Sequence, residues 1–334
     1  VGPVLGGLLV RLGGTDLGWR LVFYVNLPIG IVALLLVPRL LPGSERSQKP
    51  SLDPVGVLLF GAAMLLVLLP MVEGRQGAPL SARPWWLLGV AAALLAMFYG
   101  WERWWFSAGR ATLVDLSLAK VRSYVLGLSL GTFYFAGFTS IFLITTLYLQ
   151  IGLGYDALEA GLTQMPFAIG SGVAAWSGGR LVSRYGRSLV IVGLGLVVAG
   201  LVAIDLLVPH LDTDVGIKLA PALLLAGLGS GLVISPNVTL TLQDVDVRHA
   251  GSGGGMLQTA QRVGSAIGIA IVLAQFFDQL GSDRGDFAGA LSFSLRTTLG
   301  FVVVAMLFGV ADLVTGRRAG PNRVSPASAP TARG

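Results

Sequence analysis

The sequence predicts an all-α integral membrane protein, a bundle of about nine whole transmembrane helices plus one partial helix. Three observations lead there. First, 54% of the 334 residues are hydrophobic and only 12% are charged, with a mean hydropathy of +0.77. A soluble domain carries roughly 25% charge. Second, apolar runs recur at close to the ~20 residues that a helix needs to cross a bilayer. Third, the short stretch Gly178–Ser188, GGRLVSRYGRS, joins two such runs and holds Arg180, Arg184 and Arg187 with no acid. Short Arg-rich loops stay in the cytoplasm, so this turn sets an orientation for the rest. The runs are unbroken rather than alternating, which favours helices over a β-barrel.

Composition also excludes function classes. The net charge of +6 comes from basic residues in loops between spans, without a basic face, so nucleic acid is not expected as a partner. Cysteine is absent. His210 and His249 stand alone, so no metal and no cofactor are expected. No GxxxxGK[ST] phosphate loop and no Ser/His/Asp set occurs, which argues against an ATP-driven pump and against an enzyme.

In order, residues 1–11 are too short to span and read as the end of a helix whose start is missing. Val1 lies inside an apolar run without Met or signal peptide, so the chain reads as an N-terminally truncated fragment. A Gly-rich loop (12–19) leads into a span at 20–37. A polar segment (38–53) follows, then spans at 55–72 and 85–101 around a loop at 73–84. Residues 102–122 mix Trp104, Trp105 and Phe106 with Arg103 and Arg110, which suits a helix lying at the interface. Spans follow at 124–149, 158–176, 189–208, 219–240, 253–277 and 291–315. The tail from Gly316 is rich in Arg, Pro and Ser and reads as disordered. On this layout 16 of the 23 Lys and Arg fall on the side of the GGRLVSRYGRS turn and 7 on the other. That bias places the C-terminus in the cytoplasm.

Three stretches carry a family resemblance. Gly2-Pro3-Val4-Leu5-Gly6-Gly7 matches the end of an antiporter motif. Trp19–Gly30, WRLVFYVNLPIG, matches the entry to the helix after it. Gly179-Arg180-Leu181-Val182-Ser183-Arg184-Tyr185-Gly186-Arg187 matches a repeated loop of pattern G-x-L-x-D-R-x-G-R, with Ser183 where the acid usually stands. Residues 251–270, GSGGGMLQTAQRVGSAIGIA, look like the thirteenth helix of the same family. Together they resemble the major facilitator superfamily, in its fourteen-helix drug:proton antiporter branch. The resemblance implies a major facilitator-type bundle divided into four parts. Residues 1–38 would be a remnant of the N-terminal bundle, the end of helix five with helix six. Residues 39–123 would be a cytoplasmic linker with two extra central helices, 124–315 the C-terminal six-helix bundle, and 316–334 the tail. Helices one to four would be missing.

Candidate site residues follow from helix faces. Gln258, Gln261, Arg262 and Ser265 are spaced i, i+3, i+4, i+7 and share one face. A cation in a span costs about 2.5–3.5 kcal/mol on insertion scales, so Arg262 either lines a pathway or snorkels to the headgroups. Gly264 and Gly268 have the GxxxG spacing for helix packing. Tyr134, Phe138, Ile141, Thr145 and Tyr148 also share a face, which suits either a drug pocket or packing. Ser235-Pro236-Asn237 would either break its helix at mid-depth beside a cavity or simply bend it. Asp205 and Asp312 lie near span ends, the latter close to Arg317 and Arg318. No Asp or Glu lies deep in a span, so the carrier of a coupled proton is expected in the missing helices. The reading is a secondary transporter in a bacterial cytoplasmic membrane. It would export hydrophobic or cationic drugs against protons by alternating access, with the lipid bilayer, the small-molecule substrate and protons as partners. The alternative is a non-transporting scaffold or sensor that binds lipid or a protein.

Overall fold

The computed structural model describes residues 2–40, 53–72, 84–108, 117–211, 214–246, 249–282 and 285–318. Among the described residues there are helices and no strand. Six stretches of the described residues are long and apolar enough to cross a membrane: Leu17–Val37, Arg122–Gly152, Arg187–His210, Val215–Leu242, Ala250–Gly281 and Phe287–Gly316. The chain is a multi-pass, all-α membrane bundle. The other three expected crossings correspond to helices that are shorter or less apolar.

Helix α1 (Gly2–Tyr24) absorbs the expected loop at 12–19. It turns at Gly14 alone, where φ is 63°, a conformation that glycine adopts without the Cβ penalty. The two arms then touch, because a Cβ on Gly18 would meet the backbone of Val10. Helix α2 (Asn26–Leu40) follows. Its Leu27, Ile29, Ile31, Leu34 and Leu35 are all 58–75% exposed, as suits a helix whose solvent is lipid.

Helices α3 (Pro54–Val72) and α4 (Trp86–Ser107) pack together. Asp53 locks the start of one to the end of the other. Its carboxylate accepts from the Gly56 N–H at 2.9 Å and from Trp101 Nε1 at 3.1 Å. Trp101, Trp104 and Trp105 cluster on the last turns of α4. The segment expected at 102–122 is in part the end of α4, which runs to Ser107. Tryptophans are enriched in the aromatic belts at membrane boundaries, so these three suit an interfacial position. Residues 109–116, with Arg110, lie outside the described residues. So do Arg46, Lys49, Arg248 and the tail beyond Arg318.

Helix α5 (Arg122–Leu147) runs on through one π turn, Tyr148–Gly152. The single span expected at 158–176 is two helices, α6 (Ala157–Thr163) and α7 (Met165–Tyr185). Asp156 and Glu159 form a reciprocal capping box at the start of α6. The interruption falls at Gln164, two residues before Pro166, whose ring removes a backbone donor. Gln164 Nε2 donates to Thr146 Oγ1 at 2.9 Å, which ties the interruption to α5. Helix α8 is Arg187–Leu207, α9 Val215–Leu242, α10 Ala250–Ser282 and α11 Phe287–Arg318.

Helix α9 packs on both α7 and α8, and α5 on both α10 and α11. Contacts of α8 with α11 and of α5 with α9 join the two groups, while α3 rests on α10 and α1 on α6. Within the core, Leu130, Tyr134, Leu194, Leu201, Leu219, Phe276 and Leu291 are buried. Lipid supplies no hydrophobic drive between helices, so close van der Waals fit has to. The GxxxG expectation holds on this point. A Cβ on Gly264 or Gly268 would collide with the carbonyl oxygen of Thr132 or Ala136 on α5.

Candidate transport site

The hairpin of α7 and α8 is tighter than its sequence suggested. Helix α7 ends at Tyr185, Gly186 alone makes the turn at φ 51°, and α8 begins at Arg187. The arginines of the motif therefore part ways. Arg180 and Arg184 are exposed on α7, each over an aromatic ring, Trp176 at 3.7 Å and Tyr185 at 5.5 Å from the centroids. Gly179 is exposed beside them. Ser183 makes only a local bond to the Arg180 carbonyl. Arg187 instead turns inward and is 9% exposed.

Around Arg187 four helices meet. Its Nε pairs with Asp312 of α11. One terminal nitrogen donates to Asn237 Oδ1 of α9 at 2.6 Å, and the other to the Ser123 carbonyl of α5 at 3.3 Å. Asn237 Nδ2 in turn donates to the Gly127 carbonyl at 3.1 Å. Thr241 Oγ1 donates to the Asn237 carbonyl at 2.6 Å. Arg122 approaches the other oxygen of Asp312 at 3.8 Å. Gly127 keeps the space open, because a Cβ there would press on Thr241 and on Arg187 itself.

Two expectations bear on this cluster. Asp312 is 5% exposed and is paired with Arg187 and Arg122. The side chains of Arg317 and Arg318, its expected neighbours, lie outside what the structure describes. Pro236 does not break its helix, since α9 is continuous through it. Proline costs α9 one backbone bond, and Asn237 spends its side chain on α5 and α8 rather than on a cavity. The signal for this clamp was in the sequence: a lone acid in an apolar run needs a partner. Which arginine, and the parts played by Arg122, Ser123, Gly127 and Thr241, could not be read there.

The aromatic stripe of α5 lies in the core. Tyr134, Thr145 and Tyr148 are buried and Phe138 is half-buried. Phe138 joins Phe142 and Phe167 of α7 in a cluster with centroids 4.9–5.9 Å apart. The shared face of α10 straddles a boundary. Gln261 and Ser265 are buried, whereas Gln258 and Arg262 are exposed. Two cavities lie on the Arg262 side, against α3, and the aromatic stripe lines neither. At the other end of the chain Gly7 packs against the backbone of Ala157 and Leu158, which carries α1 onto α6. Nothing stands within 4 Å of a Cβ at Gly2 or Gly6. Pro3 lies in the first turn of α1.

Comparison with known proteins agrees with this architecture. The Major Facilitator Superfamily profile matches residues 1–269. The chain belongs to that superfamily. Among curated members, it is 36% identical over 287 residues to a probable actinorhodin transporter of Streptomyces coelicolor, covering 84% of this chain and 49% of that protein. It is 31% identical over 273 residues to a putative multidrug resistance protein MdtD of Serratia proteamaculans, covering 81% and 54%. It is likewise 31% identical to the multidrug resistance protein Stp of Mycobacterium tuberculosis, covering 81% and 48%. The chain thus spans about half the length of the curated relatives it matches.

Proposed function

We propose that this chain is part of a secondary transporter that exports apolar, drug-like molecules by alternating access, driven by proton entry. The superfamily match over residues 1–269, with relatives named as drug transporters, is the observation that carries this reading. The fold supports it: alternating access rocks one bundle rigidly against another, and the Arg187 clamp binds α5, α8, α9 and α11 into one body. On this reading α5–α11 form the C-terminal bundle, α3 and α4 the extra central pair, and α1 and α2 a remnant of the N-terminal bundle. Asp53 and Asp312 are both engaged by donors. Both are committed to structural contacts, so neither is assigned as the proton carrier. The Gly186 turn and the C-terminus face the cytoplasm, on the strength of the 16-to-7 bias of Lys and Arg.

The test expresses the chain with whatever coding sequence adjoins it in its genome, purified into liposomes with an imposed pH gradient. Accumulation of a lipophilic dye that a protonophore abolishes is the expected result. Gradient-independent dye levels would sink the proposal. Orientation is checked by single cysteines and an impermeant maleimide on intact cells. Gly154→Cys should label and Ser183→Cys should not, and the reverse pattern would invert the topology.

A further inference from the structure

Two cavities lie side by side along the seam where α3 meets α10. The larger, about 500 Å³, is bounded by Phe60 of α3, by Leu128 and Thr132 of α5, and by Met256 and Ala260 of α10. The smaller, about 210 Å³, is bounded by Met64 and Leu68 of α3 and by Arg262, Ala266 and Ile267 of α10. Thr259 and Val263 belong to both walls, so the two adjoin. The larger falls inside the ~300–1,000 Å³ typical of small-molecule sites, which are apolar with few polar groups.

Among the described residues, Arg262 is the one charge on these walls, and none that bounds either cavity is acidic. It lies on the order of 18 Å along α10 from Ala250, at 1.5 Å per residue, inside an apolar span. Every other arginine with a described side chain on α5–α11 has an acid or an aromatic ring beside it. Arg187 and Arg122 have Asp312, Arg296 has Asp205, Arg180 has Trp176, and Arg184 has Tyr185. Arg262 has neither among the described residues. The nearby hydroxyls are already spent: Thr132 donates to the Leu128 carbonyl and Thr259 to the Gly255 carbonyl.

We propose that this seam binds an amphiphilic anion, its apolar body in the larger cavity and a carboxylate or similar acidic group against Arg262. The proposal rests on the transporter reading and deepens it by giving the substrate a charge. The guanidinium fork matches a carboxylate with two parallel hydrogen bonds. A cationic compound meets only repulsion at this site.

Three probes that differ only in head group test it: 1-pyrenebutyrate, 1-pyrenebutanol and 1-pyrenebutylammonium. Each is titrated into the chain in phosphatidylcholine nanodiscs, and energy transfer from the tryptophans is read against empty discs. Pyrenebutyrate should bind about tenfold tighter than the other two. Arg262→Gln should erase that preference, and Arg262→Lys should keep part of it. Val263→Phe, which fills the shared wall, should weaken all three, and circular dichroism checks that each variant is folded. Equal binding of the three probes, or a preference that survives Arg262→Gln, overturns the proposal. So does displacement of pyrenebutyrate by phosphatidylglycerol in an Arg262-dependent manner, because the seam would then be a lipid headgroup site. Absence of gradient-driven export in the liposome assay sinks the transporter reading alone and leaves these binding results standing.

Discussion

Helices α8 and α11 are joined by an ion pair at each end, and the two pairs are built differently. At one end Arg187 and Asp312 have side chains 9% and 6% exposed, and Asn237 and two backbone carbonyls of α5 complete the hydrogen bonding around them. At the other, Arg296 meets Asp205 at 3.2 Å with side chains 69% and 20% exposed, and among the described residues no third helix takes part. The contrast separates two uses of charge. An exposed pair gains little, because solvent screens it and both side chains lose freedom. A buried pair adds little net stability either, since desolvation offsets attraction. What it adds is a penalty for coming apart: either partner left alone is a charge with nowhere to go. The inner pair therefore specifies an arrangement of four helices, and the outer one decorates it.

The sharpest way to break the comparison is Asp312→Ala, which strands Arg187. Loss of one partner of a buried pair costs about 3–5 kcal/mol, so thermal unfolding of the detergent-solubilised chain should fall steeply. Replacing both residues by apolar ones, Arg187→Met with Asp312→Leu, should recover most of the loss. A single variant that melts like the unaltered chain would remove the clamp from the account. Gly127→Ala should have an intermediate effect. Its methyl group presses on Thr241 and Arg187, and overpacking costs about 1–3 kcal/mol. A neutral result there would mean that α5 can shift away without disturbing Arg187. Arg296→Ala should have the smallest effect, under about 1 kcal/mol. A drop as large as that of Asp312→Ala would show that the two ends are equivalent after all.

Much of the fold was legible because membranes simplify the reading. Length and hydropathy located the spans, and Gly264 and Gly268 announced a close approach that the carbonyls of Thr132 and Ala136 fulfil. What periodicity could not show was partnership. Arg187 reads as one more loop arginine until the fold brings Asp312 to it, and nothing local distinguishes it from Arg180 or Arg184. Spacing put Gln258, Gln261, Arg262 and Ser265 on one face correctly, but an arc that wide can straddle an edge, and here half of it is buried. The pair at Asp53 and Trp101 was equally invisible, since α3 and α4 had first to be laid side by side. Proline misled in both directions. Pro236 sits inside a continuous helix, while Pro166 marks an interruption that hydropathy smoothed over.

Gly186 has a mechanical meaning. A joint of one residue holds no slack, so α7 and α8 cannot be drawn apart or slid past one another without tearing at that joint. Pulling α7 must pull Arg187, and through Arg187 the ends of α9 and α11. The hairpin is thus a lever whose short arm ends in the ion pair. Lengthening the joint, for instance by inserting two glycines after Gly186, would leave every contact available and yet uncouple the arms. The loss would be one of transmission rather than of structure.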